Sequence, residues 1–185
     1  MDTAVTQALI DPQPPAELAD QVAGVHAAFE EQMGYVPDGL RLYGISPVLQ
    51  QSFANNVQYF SSHPNLSQRL LAMIRYLVSA RQSCAYCVDF NETLLVESGL
   101  DLGSVRRARE YPEGAPLPAR DRVLLLLVLR ALEDPRAIGA QELEAARSRG
   151  WSDRDIFDAV VVAASNRAFG TVLKTFDVEH EGNFA

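Results

Sequence analysis

The chain has 185 residues, 48% hydrophobic and 22% charged, with a net charge of −8. That is apolar material enough for one compact domain or one protomer of an oligomer. The acidic balance argues against nucleic acid and against anionic membrane surfaces as partners, and two cysteines are too few for a disulfide-stapled secreted scaffold.

Met1 to Pro15 has neither a basic n-region nor an apolar h-region. The longest apolar run, Val123 to Leu129, is far short of the roughly 20 residues of a bilayer span. The expectation is a cytoplasmic protein with no membrane segment. Apolar/polar alternation bounded by hairpin turns is absent and helical periodicity is pervasive, which predicts an all-α bundle of about eight helices with no sheet, one domain over 1–185.

Leu18, Val22, Val25 and Phe29 step along one face of a first helix that ends near Gly34. A second helical region follows Pro37-Asp38-Gly39, breaks at Ser46-Pro47 and continues to Phe60, with Pro47 suited to a first turn. A third runs from about Ser67 to Arg81 with an apolar stripe of Leu70, Leu71, Ile74, Leu77 and Val78. The fourth starts at Ser83 or Cys84, runs to Ser98 and stops at Gly99. A short helix capped by Asp101 or Ser104 leads to the proline-rich loop Tyr111 to Pro118. An apolar helix from about Ala119 to Leu132 follows, and another from Ala140 to Arg149 that stops at Gly150. In the last, Ser152 and Asp155 form a capping box ahead of a long helix reaching about Phe176.

The chemistry-bearing feature is Cys84-Ala85-Tyr86-Cys87. Two cysteines placed at random in such a chain fall three apart only about one time in a hundred. On a helix, i and i+3 share a face with Cβ atoms roughly 5–6 Å apart, and a disulfide needs about 3.8 Å. A first turn can tighten to close that gap. With Ser83 as N-cap, Cys84 falls in the first turn, where the helix N-terminus lowers a thiol pKa; Arg75 and Arg81 upstream would add positive potential. Inert packing is the alternative for any buried cysteine. Zinc would need two more ligands, and His26, His63 and His180 are scattered. Val88 stands where covalent haem attachment needs histidine. No metal and no cofactor is expected.

The segment Ser79-Ala80-Arg81-Gln82-Ser83-Cys84-Ala85-Tyr86-Cys87-Val88-Asp89-Phe90-Asn91, followed by Gly99-Leu100, resembles the signature of the alkylhydroperoxidase D-like, or carboxymuconolactone decarboxylase, superfamily. Asn166-Arg167 resembles a polar pair of its last helix. The resemblance covers most of the chain from about Ser46, with 67–99 as the redox segment. It implies an orthogonal helical bundle, assembly into trimers or hexamers, and thiol peroxidase or disulfide-reductase activity on a peroxide or disulfide, with an external thiol as reductant. It gives attack to Cys87 and resolution to Cys84, whereas the helix dipole favours Cys84 as the more acidic thiol. Two relay positions depart from the pattern: Asn91 replaces the histidine and Ala72 the glutamate, and neither can act as a base. Asp89, Glu92 and His63 are the substitutes to test. Tyr86 is a hydrogen-bond donor or a packing aromatic. A cofactor-free lyase, as in the decarboxylase branch, and a non-catalytic redox-responsive oligomer are the competing readings.

Asp89 and Glu92 otherwise read as a solvated face. Glu144 and Arg147 form an i,i+3 pair on an exposed helix, and Trp151 is an anchor after the Gly150 turn. Asn166, in an apolar stretch, is either an interhelical hydrogen-bond site or a pocket residue. The run Val123 to Leu129, apolar all round, suggests a subunit interface as much as a core.

Overall fold

The structure, a computed structural model, describes residues 8–178. Among them are nine α-helices and no strand: α1 (Ala19–Met33), α2 (Asp38–Tyr43), α3 (Pro47–Ser61), α4 (Gln68–Arg81), α5 (Ala85–Glu97), α6 (Leu102–Arg107), α7 (Ala119–Glu133), α8 (Ala140–Arg147) and α9 (Asp153–Thr175). Short 3-10 turns at Ala16–Leu18, Pro112–Gly114 and Pro135–Ala137 join them. His180 lies outside the described residues. Where the sequence reads as one domain over 1–185, the backbone groups into two compact units: one runs to Ser62 and resumes at Val172, the other spans His63–Thr171.

In the first unit α1 packs on α3, and α2 on α3. Val25, Val36 and Leu40 form a buried cluster, with Phe29, Phe53 and Ala54 against it. Gly34 ends α1 at φ +82, a left-handed stop. Pro47 opens α3 at its first position, where its missing N–H leaves no helical bond unmade.

The second unit is built around α4. Leu70, Leu71, Met73, Ile74, Tyr76 and Leu77 are at most 1% exposed, and Ala72, Val78 and Ser79 are buried too. The expected stripe is therefore a helix covered nearly all round: α5 and α7 pack on it, and α9 reaches it through Asn166, whose Nδ2 donates to Ser79 Oγ at 2.9 Å. Ser67 caps α4 by accepting from Leu70 N–H. In α7, Leu124, Leu125, Leu127, Val128 and Leu129 are buried within the chain itself, and Val123 and Leu126 of the same run are half-buried. Trp151 is buried, its Nε1–H donating to the Arg120 carbonyl at 3.1 Å and its ring under the Arg120 guanidinium.

The expected caps at the other ends are present. Asp101 accepts from Ser104 N–H at 2.8 Å. Ser152 and Asp155 bond reciprocally: Ser152 N–H donates to Asp155, and Asp155 N–H to Ser152 Oγ. Glu144 and Arg147 lie 3.8 Å apart, although Arg147 is closer to Asp153, at 2.7 Å. By length and composition α9 alone among the described helices could cross a membrane. It carries the buried acids Asp155 and Asp158 as well as Asn166, and core helices of soluble proteins pass the same test.

Candidate active site: a buried thiol pair

The α4–α5 junction differs from its sequence reading. Ser83 is not the N-cap of α5. It stands at φ +54, the left-handed position of a Schellman turn that ends α4: Ser83 N–H donates to Ala80 O at 3.1 Å and Cys84 N–H to Ser79 O at 3.1 Å. Cys84 is thus both the residue that closes α4 and the N-cap of α5, with φ −91 and ψ 92. Its carbonyl accepts the first helical bond, from Val88 N–H, at 2.9 Å. The same turn ends α5, where Gly99 (φ +92) fills the left-handed position without a Cβ penalty.

This turn brings the sulfurs together. Cys84 Sγ and Cys87 Sγ lie 2.6 Å apart, and both are free thiols. Cys84 is 1% and Cys87 3% exposed. On the α9 side Gly170 allows close approach: a Cβ there would sit 3.5 Å from Cys84 Sγ and 2.9 Å from Gln82 Oε1. Gln82 Nε2 donates to the Arg167 carbonyl at 3.2 Å, tying the α4 end to α9.

The thiol of Cys87 is pushed far above the ordinary range. Its hydrogen bond with Cys84 contributes most, followed by burial and the charge of Cys84; a hydrogen bond from Ser79 works the other way. Two thiols sharing one hydrogen bond do not both ionise readily. Cys84 is the one that stands at the α5 N-terminus, where the helix dipole favours a negative charge.

Asn91 occupies the relay histidine's position as a buried bridge. Its Oδ1 accepts from Arg75 Nε at 3.1 Å and its Nδ2 donates to the Cys87 carbonyl at 2.7 Å. Arg75, lowered to about 10 by burial, is still charged at neutral pH, and its Nε bond goes to this amide. Arg81 is paired with Glu133 instead of facing the sulfurs. Ala72 is buried and offers no polar atom.

The substitutes for the relay are held elsewhere. His63 accepts at Nδ1 from Asn65 N–H (3.2 Å) and Leu66 N–H (2.9 Å), and its Nε2–H donates to Asp158 (3.1 Å); both ring nitrogens serve to fix the loop before α4 onto α9. Asp89 is exposed. Glu92, read as a solvated residue, is instead the centre of a cluster. It accepts from Tyr76 Oη at 2.8 Å, from Arg106 Nη2 at 2.7 Å and from Arg109 Nη2 at 2.8 Å. Burial by itself would raise its carboxyl, but the hydrogen bonds from Arg106 and Tyr76 and the two guanidinium charges hold it below its usual range. Tyr76 is pushed up to about 12, first by burial and then by Glu92. Tyr86 is buried at the first turn of α5.

Asn166 resolves as an interhelical bond, meeting Ser79 and the Arg75 carbonyl. Ser79 is the residue the sequence reading passed over. Its signal was its place on α4: Ala72, Arg75 and Ser79 are spaced i, i+3, i+7, one helix face over two turns. Among the described residues no group of three or more His, Cys, Asp or Glu is placed to hold a metal ion. A groove of about 690 Å³ between α1 and α3, lined by Gly24, Phe29, Gln51 and Ala54 among others, contains none of these residues.

Three solved structures show what the arrangement is similar to. An uncharacterized peroxidase-related protein from Silicibacter sp. TM1040 superposes with a TM-score of 0.81 at 23% identity, covering 96% of this chain and 93% of its own. A second, from Ralstonia eutropha JMP134, described as an alkylhydroperoxidase AhpD core, gives 0.81 at 20% identity, with 96% and 94% covered. The debrominase Bmp8, in complex with 2,3,4-tribromopyrrole, gives 0.66 at 16% identity, with 88% of each chain covered. No protein-family model and no curated protein matches the sequence. At these identities the likeness concerns the fold: the chain is all-helical with the alkylhydroperoxidase D-like fold, as the Cys-x-x-Cys segment implied.

Proposed function

We propose that the chain is a dithiol/disulfide oxidoreductase that reduces a peroxide, or the disulfide of a partner, and is itself restored by an external thiol. The observation carrying this reading is the contact of two free sulfurs at the start of α5; a fold shared with proteins described as peroxidase-related adds to it.

The order of events follows from the place of Cys84 at the start of α5. Cys84, at the N-cap, carries the thiolate and attacks the peroxide. An S–O bond forms, the O–O bond breaks, and the departing oxygen takes a proton. Cys87 then attacks the Cys84 sulfenic acid; the S–S bond forms and water leaves. Two thiols of the reductant take the disulfide back to the dithiol. This order is the reverse of the one the resemblance implies. It follows from Cys84 being the residue at the N-cap of α5, where a helix N-terminus favours a thiolate. With Asn91 and Ala72 in the relay positions there is no side-chain base there, so turnover relies on the helix N-terminus and is slower than in relatives with an intact relay. We further propose a homo-oligomer, the trimer or hexamer of the resemblance; sedimentation as a monomer at working concentration would overturn that part.

Peroxide-dependent thiol loss tests the reading. Wild type should lose two thiols per peroxide, Cys87→Ser one without forming an intramolecular disulfide, and Cys84→Ser should react at least tenfold more slowly. Loss in wild type no faster than in Cys84→Ser would overturn it.

A further inference from the structure

Arg75 carries a charge that the chain does not balance. It lies on the face of α4 that also carries Ala72 and Ser79, met by α5 through Asn91 and by α9 through Asn166. Its Nε donates to Asn91 Oδ1 at 3.1 Å. Among the described residues its two Nη nitrogens have no hydrogen-bond partner, and no carboxylate pairs with it. Arg81, Arg106, Arg109, Arg130 and Arg147, by contrast, each meet a carboxylate. Burial lowers Arg75 to about 10 with no acid to offset it, and it stays a cation at neutral pH. A guanidinium drawn partly out of water with its Nη protons unused is costly unless an anion completes it.

The residue is half-buried and neither Nη is sealed from solvent, so an anion can reach the head from outside. Its place is tied to the thiol pair. The Asn91 amide that accepts from Arg75 Nε also donates to the Cys87 carbonyl, at 2.7 Å, so one side-chain amide separates the guanidinium from the Cys87 backbone. That bond fixes the plane of the guanidinium and leaves its two-nitrogen edge for a ligand. Ala72 stands three residues earlier on the same face, where the resembled pattern has a glutamate. A glutamate there would pair with Arg75; the alanine leaves the cation open. The sulfurs themselves are 1% and 3% exposed, which favours a small molecule over the disulfide of a protein.

We propose that Arg75 is a substrate-binding residue whose Nη edge holds a carboxylate in a bidentate pair while the peroxide end of the same molecule meets the thiols. The inference rests on the dithiol reading above and names the substrate class of that site, an organic hydroperoxide bearing a carboxylate.

The test compares two probes with one reactive group, para-carboxylated cumene hydroperoxide and its methyl ester, in peroxide-dependent thiol loss by the full chain. At low ionic strength wild type should react about tenfold faster with the acid, the advantage of a charge-assisted bidentate pair, and salt should shrink that advantage. Arg75→Gln should bring the ratio of the two rates to about one. A guanidinium acting only on the thiols would change both rates alike and leave the ratio where it is. Equal rates in wild type, or an acid preference kept by Arg75→Gln, overturns the inference. Should that variant not fold, Arg75→Lys decides: it keeps the charge without the planar fork and should lower the ratio about threefold, and an unchanged ratio overturns the inference equally. Failure of the dithiol reading would show separately, as no thiol loss with either probe. Benzoate is then titrated while the Arg75 Nε–H resonance is followed by nuclear magnetic resonance; a saturable shift is the expected result, and a resonance that does not move overturns the inference.

Discussion

Ser83 shows how one backbone angle decides the site. At φ +54 it occupies the left-handed position that glycine takes at Gly99 in the equivalent turn. A residue with a Cβ is strained there by roughly 1 kcal/mol. Ser83→Gly should therefore stabilise the chain by about 0.5–1 kcal/mol, read as a higher denaturation midpoint at unchanged slope. If Ser83 were an N-cap with an extended backbone, the same change would be neutral or destabilising, so the sign decides between the two. The sequence suggested an N-cap because serine before a helical run is the usual signature. The competing Schellman turn depends on where α4 stops, and that is set by how α5 folds back upon it. The closeness of Cys84 and Cys87 was legible from spacing; the contacts of Ser79 with Asn166 and of Asn91 with Arg75 were not, because those partners lie far apart along the chain.

At the scale of elements, α4, α5 and α6 are tied by Glu92, which draws Tyr76 of α4, Arg106 of α6 and the following Arg109 to one carboxylate. A carboxyl held below its unfolded value contributes stability above that value, about 4.3 for glutamate, and loses it as the pH falls through the lower folded value. Glu92→Gln should thus cost about 1 kcal/mol at pH 7, discounted because both guanidinium partners are partly solvated. The gap to wild type should close as the pH drops below about 4. Denaturation at a series of pH values checks this; a gap independent of pH would assign the loss to packing. Asp155 is also held low: burial raises it, and hydrogen bonds from Ser152 and Asn65 outweigh that. Asp121 is raised by burial and has the opposite sign. The difference between wild type and variant removes both. Spacing placed Glu92 on α5, but its partners come from α4 and from beyond the loop after α5, so its cluster had no local signature.

At the scale of the molecule, the second unit owes its stability to α4, a helix in contact with protein on nearly every side. Leu71 is fully buried, and Leu71→Ala should cost about 2–5 kcal/mol, enough to take a marginally stable domain close to unfolding. Thermal or urea denaturation would show it; a loss under about 1 kcal/mol would mean that α4 is not the centre of this core.

The existence and type of each helix, most of its ends and the adjacency of two thiols were determined by the sequence alone, because they depend on periodicity, caps and spacing within a few residues. The tertiary structure decided which faces of α4 are covered, that Ser83 turns left-handed, that Glu92 is bound and that Ser79 meets Asn166. These follow from side chains tens of residues apart being brought within hydrogen-bonding distance, and no local pattern along the chain encodes that proximity.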